Sequence, residues 1–484
     1  MTTLLLLLAA AAPGVDDLFD PFSSAFPTSG DRVRRKQAAF ERLLAKNGPG
    51  SMLKALARCE GGYRKAAAAR DKEYKRFAKT AGSYHGFIEK YRRNYIKREK
   101  REPVDIPMPD SLEKGYINAE IAMKRANSIV LRELTFHRWA LDRLARMAPG
   151  ADEKFRAVMR SQLGHKNVHQ QLRAVRLLSL AREEQALTEL LSKRARPATL
   201  AAAAETGQGT GAAALLTHDA WQVRSAAAHG LRYARSREAV AALVARAGQE
   251  KGIVADDLHA SLVALRGGVE TDWPAWWKAQ PDSWRPALVR RRIRTNDAFV
   301  GTPSSSGRTA FTLPTGSQRV ILCVPAGSPV VDEETLRFLG TLPQSARFGV
   351  VAFGTGAKPY KKGLIENRPA ERAALKKWLA KQKEGRALDT WTGLEAAFDM
   401  ADAGRGKPPR ADTIVVVSPD RPTARDFTMA VVCNPRQIGF ELAHRNQLLR
   451  LRILAYGQSG GGESYFLQEL ASPYGGGYRP ISPR

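Results

Sequence analysis

Four short runs in the last third of the chain are apolar at nearly every position: RVILCV (319–324), RFGVVAFG (347–354), TIVVVS (413–418) and LRILAYG (451–457). A strand with one wet face alternates apolar and polar residues, whereas a strand apolar throughout is covered on both faces. Helix-patterned stretches lie between these runs. PAERAALKKWLAKQ (369–382) and WTGLEAAFDMADA (391–403) separate the second from the third, and PRQIGFELAHRNQLL (435–449) separates the third from the fourth. ESYFLQELASPYGGGYRPI then predicts a helix and a short last strand. This order predicts an α/β fold, an open parallel sheet with helices on both faces. Such sheets bind ligands outside the C-terminal ends of their strands. That rule singles out VPAGS (324–328) after the first strand and SPDRPT (418–423) after the third.

The chain before this sheet has helical patterning only. A leader rich in Pro, Ser and Gly (15–30) precedes a helical region over 31–150. Between Asp31 and Arg101 there are 22 Lys and Arg against 7 Asp and Glu. Tyr74, Phe77, Tyr84, Phe87, Tyr91 and Tyr95 recur mostly three, four or seven apart and share one helical face. That face reads either as the buried stripe of a helical hairpin or as stacking platforms beside the basic run YRRNYIKREKR. Three prolines in REPVDIPMPD (101–110) break the helix, and a second one follows over about 111–147. Residues 151–285 repeat a two-helix unit at an interval of about 35–50 residues, the period range of a stacked-helix solenoid. The unit shows best in DAWQVRSAAAHGLRYARSREAVAALVARAGQE, with earlier and later copies at HKNVHQQLRAVRLLSLAREEQALTELLSK and EKGIVADDLHASLVALRGG. At Asp219, Val223, Arg224 and Ala226–Ala228 it resembles HEAT repeats. A Trp-rich tail, TDWPAWWKAQPDSW, predicts a cap on the solenoid, with capture of a cation or sugar ring as the sharper alternative. Residues 286–318 predict a linker or edge hairpin.

The block from Arg319 to Ile481, taken as domain 319–484, resembles a von Willebrand factor type A domain of a bacterial kind. The first strand with its Gly-Ser turn, RFGVVAFG, GLEAAF, ADTIVVVS, HRNQLLRLRI and FLQELASPYGGGY carry that resemblance. It implies a Rossmann-like open sheet and a Mg²⁺ site at the strand ends. The family's ligands are Asp-x-Ser-x-Ser in a first loop, a Thr in a second and an Asp in a third. The corresponding positions here are Val324, Ala326 and Ser328, then Leu388, then Pro419. Mg²⁺ keeps near-octahedral geometry and takes one or two carboxylates. The resemblance therefore implies a degenerate site without metal or other cofactor. Ser328, Asp389 and Asp420 are the candidates for a rebuilt one, and Thr390 lies close by.

No histidine falls in a G-x-S-x-G or H-E-x-x-H arrangement, and FGTGAK (353–358) lacks the full phosphate-loop pattern. The expectation is a non-catalytic scaffold or protein-binding chain. Lys and Arg total 77 against 48 Asp and Glu, a formal +29. That excess supports an alternative: electrostatic binding of polyanions, nucleic acid or an acidic surface polymer, through 31–101. The three cysteines, Cys59, Cys323 and Cys433, form no C-x-x-C pair and predict neither a zinc site nor a disulfide framework. Residues 1–14, MTTLLLLLAAAAPG, have the apolar length of a signal peptide and are too short to span a membrane. They predict export to a periplasm or cell surface, with a cytoplasmic chain as the alternative.

Overall fold

The computed structural model describes residues 26–287 and 317–480, apart from 104, 194, 208–209, 235, 271, 355, 383–389, 405–406, 419–434, 458–466, 468–469, 472–473 and 475. The signal-peptide segment, most of the leader and most of the linker lie outside the described residues. So do Leu388, Asp389, Pro419 and Asp420. The chain divides into two compact units, Met1–Met159 and Arg160–Arg484.

The first unit is a long antiparallel hairpin of α1 (Phe26–Glu99) and α2 (Asp110–Met147). α1 begins at Phe26, inside the stretch expected to be leader. It bends at Asn47-Gly48-Pro49-Gly50, where Gly48 has φ 73°. Only a residue without Cβ enters that region at low cost, and Pro49 cannot donate to the preceding turn. The hairpin core is aromatic. Phe40 meets Phe136 and Trp139 edge-on at 6.0 and 5.5 Å, and Tyr84 stacks on Tyr116 at 4.5 Å. Phe77, also against Tyr116, is buried. Of the recurrent aromatics, Phe77 and Tyr84 pack across the seam on Tyr116, and Phe87, Tyr91 and Tyr95 stack on one another along α1. Lys36–Glu133 at 2.6 Å and Arg143–Glu41 at 2.7 Å tie the two helices along the seam.

In the second unit, short helices stack in sequence: α4 (Val168–Leu180), α5 (Glu184–Ser192), α6 (Pro197–Glu205), α7 (Trp221–Leu231), α8 (Arg237–Ala247) and α9 (Ile253–Arg266). α3 (Glu153–Leu163) crosses the boundary between the units. α6 is almost all alanine in its second half, and its Ala201, Ala203 and Ala204 are fully buried. Small side chains let α7 approach so closely that a Cβ on Gly230 would run into the Ala204 carbonyl. Arg224 fixes the turn before α7, donating to the carbonyls of His218 and Asp219 at 2.7 and 3.0 Å and pairing with Glu250. The tryptophans close the stack through α10 (Trp273–Lys278). Trp276 and Trp277 lie edge-on to Trp284, and the cations over their faces are the chain's own Arg266 and Arg237.

The sheet contains β1 (Arg319–Pro325), β2 (Arg347–Phe353), β3 (Ala357–Pro359), β4 (Ile365–Glu366), β5 (Thr413–Ser418), β6 (Arg452–Gly457) and β7 (Gly477–Pro480). Its order is β3-β2-β1-β5-β6-β7. β2, β1, β5, β6 and β7 run parallel, and β3 and β4 pair antiparallel with β2. This is the expected α/β sheet after a helical N-terminal half. Val320, Leu322, Val324, Phe348, Val350, Val415 and Val417 face α11 (Pro329–Thr341) and α12 (Pro369–Leu379) through Val331, Phe338 and Leu375. Alternate residues point to the opposite face, which α13 (Thr390–Ala401) covers with Leu394, Phe398 and Met400. α14 (Pro435–Leu449) leads into β6. The short edge strands β3 and β4 were not foreseen. They carry few apolar residues and exist because β2 offers an unpaired edge.

Candidate functional site

The strand order reverses between β1 and β5, since β2 lies on one side of β1 and β5 on the other. A doubly wound sheet opens a crevice at this point, outside the C-terminal strand ends. Here the crevice is bordered by the turn after β1, the end of β5 and the start of α13.

The turn after β1 is well held. The Ala326 N–H donates to the Phe353 carbonyl at 2.8 Å, Gly327 has φ 76°, and Ser328 is the N-cap of α11. Ser328 makes no capping bond with its side chain, and Pro329 and Val330 follow it exposed. Val330 is 78% exposed, an apolar side chain standing at the mouth of the crevice. Val324 belongs to the apolar cluster under α11 and is fully buried. A carboxylate there would sit among Val320, Leu322, Val331 and Phe338 instead of facing a ligand.

Across the crevice, Thr390 opens α13 and Ser418 ends β5. Both are fully buried, and their hydroxyls lie 2.9 Å apart. The bond ties the helix start to the strand end. Leu388, at the expected threonine position, lies outside the described residues, and Thr390, two residues on, is the hydroxyl that reaches the end of β5. Among the described residues, the oxygen donors bordering the crevice are the hydroxyls of Ser328, Thr390 and Ser418. Among them also, no group of three His, Cys, Asp or Glu side chains comes together to hold a metal. Mg²⁺ is usually held by one or two carboxylates, and Asp389 and Asp420, the carboxylates named for a rebuilt site, lie outside the described residues.

One acid stands on the next turn. The Asp332 N–H donates to the Ser328 carbonyl at 2.9 Å. Its Oδ1 is buried without a hydrogen-bond partner, and burial pushes its carboxyl up to about 6.

The opposite edge of the sheet, at the strand starts, meets the stacked helices. Arg450 (φ 56°) is aimed by Asn446, whose side chain brackets Leu451 with bonds of 2.8 and 2.9 Å. Arg450 donates to Glu205 at 2.5 Å and lies over the Tyr474 ring at 4.5 Å. Arg452 reaches Asp257 at 3.2 Å and Asp256 at 3.7 Å, and Ser225 donates to Asp257 at 2.6 Å. Both arginines are under 10% exposed. Burial also pushes the Tyr474 phenol up to about 12. Arg319 lies over Trp221 at 5.7 Å and pairs with the buried Asp412 at 3.6 Å. A small cavity lined by Glu205, Trp221, Gln222, Asp257, Arg450 and Tyr474 lies at this seam. Nothing in the sequence pointed to the contact, because the partners are 195 and 245 residues apart.

No protein-family model and no curated protein matches the chain. Among solved structures, a von Willebrand factor type A protein from Catenulispora acidiphila is similar to it, at 18% identity and a TM-score of 0.28. The similarity covers 34% of this chain and 38% of that one.

Proposed function

We propose that the chain is a non-catalytic interaction protein whose α/β layer binds a protein partner without a metal ion. One observation carries the reading: the switch-point crevice is bordered by Val324 turned into the core, a Thr390–Ser418 hydroxyl pair bonded to itself, and an exposed Val330. Such a surface recognises a partner by apolar contact and backbone hydrogen bonds, with no reacting group. The stacked helices grip the strand starts, so partner binding belongs to the far edge, about 20 Å away at the rise of a six-residue strand. The proposed setting is outside the cytoplasm, on the strength of the apolar run at residues 4–12. No described helix is long and apolar enough to cross a membrane.

The test is capture from native envelope extract by the full chain and by Val330→Asp, at low and high salt. A partner held at high salt and lost with Val330→Asp supports the reading. Retention that disappears at high salt and ignores Val330 contradicts it, because exposed charge pairs are screened within about 10 Å at 0.1 M while apolar contact is not. That second result favours the alternative, polyanion binding by residues 31–101, which is supported by their 22 basic against 7 acidic side chains.

A further inference from the structure

At 100° per residue, one face of α1 collects Lys72, Lys75, Arg76 and Lys79, and further on Lys90, Arg93 and Lys97, within an arc of about 120°. All seven are exposed. The other positions on that arc between them are Gly82, Ser83, Gly86 and Asn94, so it holds no acid and no large apolar residue. Among the described residues, Arg76 pairs with Glu73 at 3.8 Å and is itself 70% exposed. The stripe is about 38 Å long at 1.5 Å per residue.

We propose that this stripe binds the phosphodiester backbone of a nucleic-acid duplex, without reading its sequence. The inference rests on the polyanion alternative and narrows it to one face and one ligand. Three observations favour a duplex. First, no aromatic lies within the arc, and Phe87, about 20° beyond its edge, stacks on Tyr91 at 6.4 Å. Phe77 and Tyr84 pack on Tyr116 and Tyr91 stacks on Tyr95, so the stripe presents no ring to unpaired bases. Second, an amphipathic helix that seats in a membrane does so with an apolar face beside its basic one, and the stripe is flanked differently. Asp71 and Glu89 stand four residues before Lys75 and Arg93, about 40° round from them, and border one side of the stripe. A plane of lipid headgroups would meet those acids, whereas one phosphodiester strand of a duplex can follow the stripe beside them. Third, the charges are strung along a line at an average of about 6 Å. A duplex is a dense linear array of phosphates, and neutralising them releases counterions.

The experiment measures binding of the full chain to a ~20-bp duplex of arbitrary sequence across salt concentrations, since counterion release sets the slope. The stripe variant is Lys75→Gln, Lys79→Gln, Lys90→Gln and Arg93→Gln together. The control removes four exposed lysines from the α/β layer: Lys358→Gln, Lys362→Gln, Lys376→Gln and Lys377→Gln. Circular dichroism verifies that both stay folded. The expected result is a steep loss of affinity with salt. The stripe variant should bind about tenfold or more weakly at ~0.1 M salt, with a slope shallower by roughly 3 to 4, and the control should change little. Equal losses in both variants would overturn the stripe while leaving polyanion binding in place. No duplex binding even at ~50 mM salt, where such contacts are strongest, would overturn both. Stripe-dependent binding to vesicles rich in anionic lipid, with none to the duplex, would overturn the nucleic-acid assignment in favour of a headgroup surface.

Discussion

Asp332 illustrates how a single buried atom makes stability depend on pH. Its carboxyl is pushed up to about 6 by burial, against an ordinary value of 3.8. Between those values the folded chain holds a proton that the unfolded chain has released, so stability falls as pH rises through the window. Water reaches part of this side chain, so the screened loss is on the order of 1 kcal/mol. Asp332→Asn should flatten the pH dependence between about 4 and 6 and stabilise the protein at neutral pH, as read from urea midpoints. A variant that keeps the wild-type slope would show that Asp332 is not the group involved. Arg450 poses the converse case. Burial works against its charge, and Glu205 and Tyr474 hold it in place. Arg450→Ala removes a cation from Glu205 and from an aromatic face, a loss of about 1–3 kcal/mol because Glu205 keeps contact with water. A double-mutant cycle with Glu205→Gln should return a coupling of at least about 1 kcal/mol. Additive effects would mean that the pair is not formed in solution.

Among the elements, legibility in the sequence followed the range of the contacts that create them. β1, β2, β5 and β6 were readable because burial on two faces writes a continuous apolar run. The helical hairpin was readable from its periodic aromatics and the prolines between its arms. The bend at Gly48-Pro49 was overlooked, although Asn-Gly-Pro-Gly is strong local punctuation. The β3–β4 edge was illegible, since pairing with β2 alone makes those residues strands. At the crevice, the spacing after β1 leads from Val324 to Ser328 at the start of α11, while Leu388, Asp389, Pro419 and Asp420 lie outside the described residues. The alanine-rich α6 makes a tight helix contact with α7. Its test is Gly230→Ala. The new methyl meets the Ala204 carbonyl, a backbone atom that cannot swing away. Overpacking of this kind costs about 1–3 kcal/mol. Thermal unfolding of that variant at the wild-type temperature would show that α6 and α7 lie further apart.

At the scale of the whole molecule, Arg160–Arg484 is one compact unit in which the sheet and the stacked helices share buried ion pairs. Breaking such pairs by removing one side costs far more than the pair itself contributes. Residues 319–484 expressed alone should therefore unfold at clearly lower urea than residues 160–484, because Arg450 and Arg452 would lose Glu205 and Asp257. The proposed binding edge lies on the other side of this unit, where the crevice would act without a metal ion. A site that holds an ion only in the folded state raises stability with ion concentration. The direct measurement is thermal unfolding of the full chain in EDTA and in ~5 mM MgCl₂ or MnCl₂, where even a weak specific site would register. The account predicts the same midpoint in all three. A clear rise with Mg²⁺ or Mn²⁺, abolished by Ser328→Ala, would contradict it.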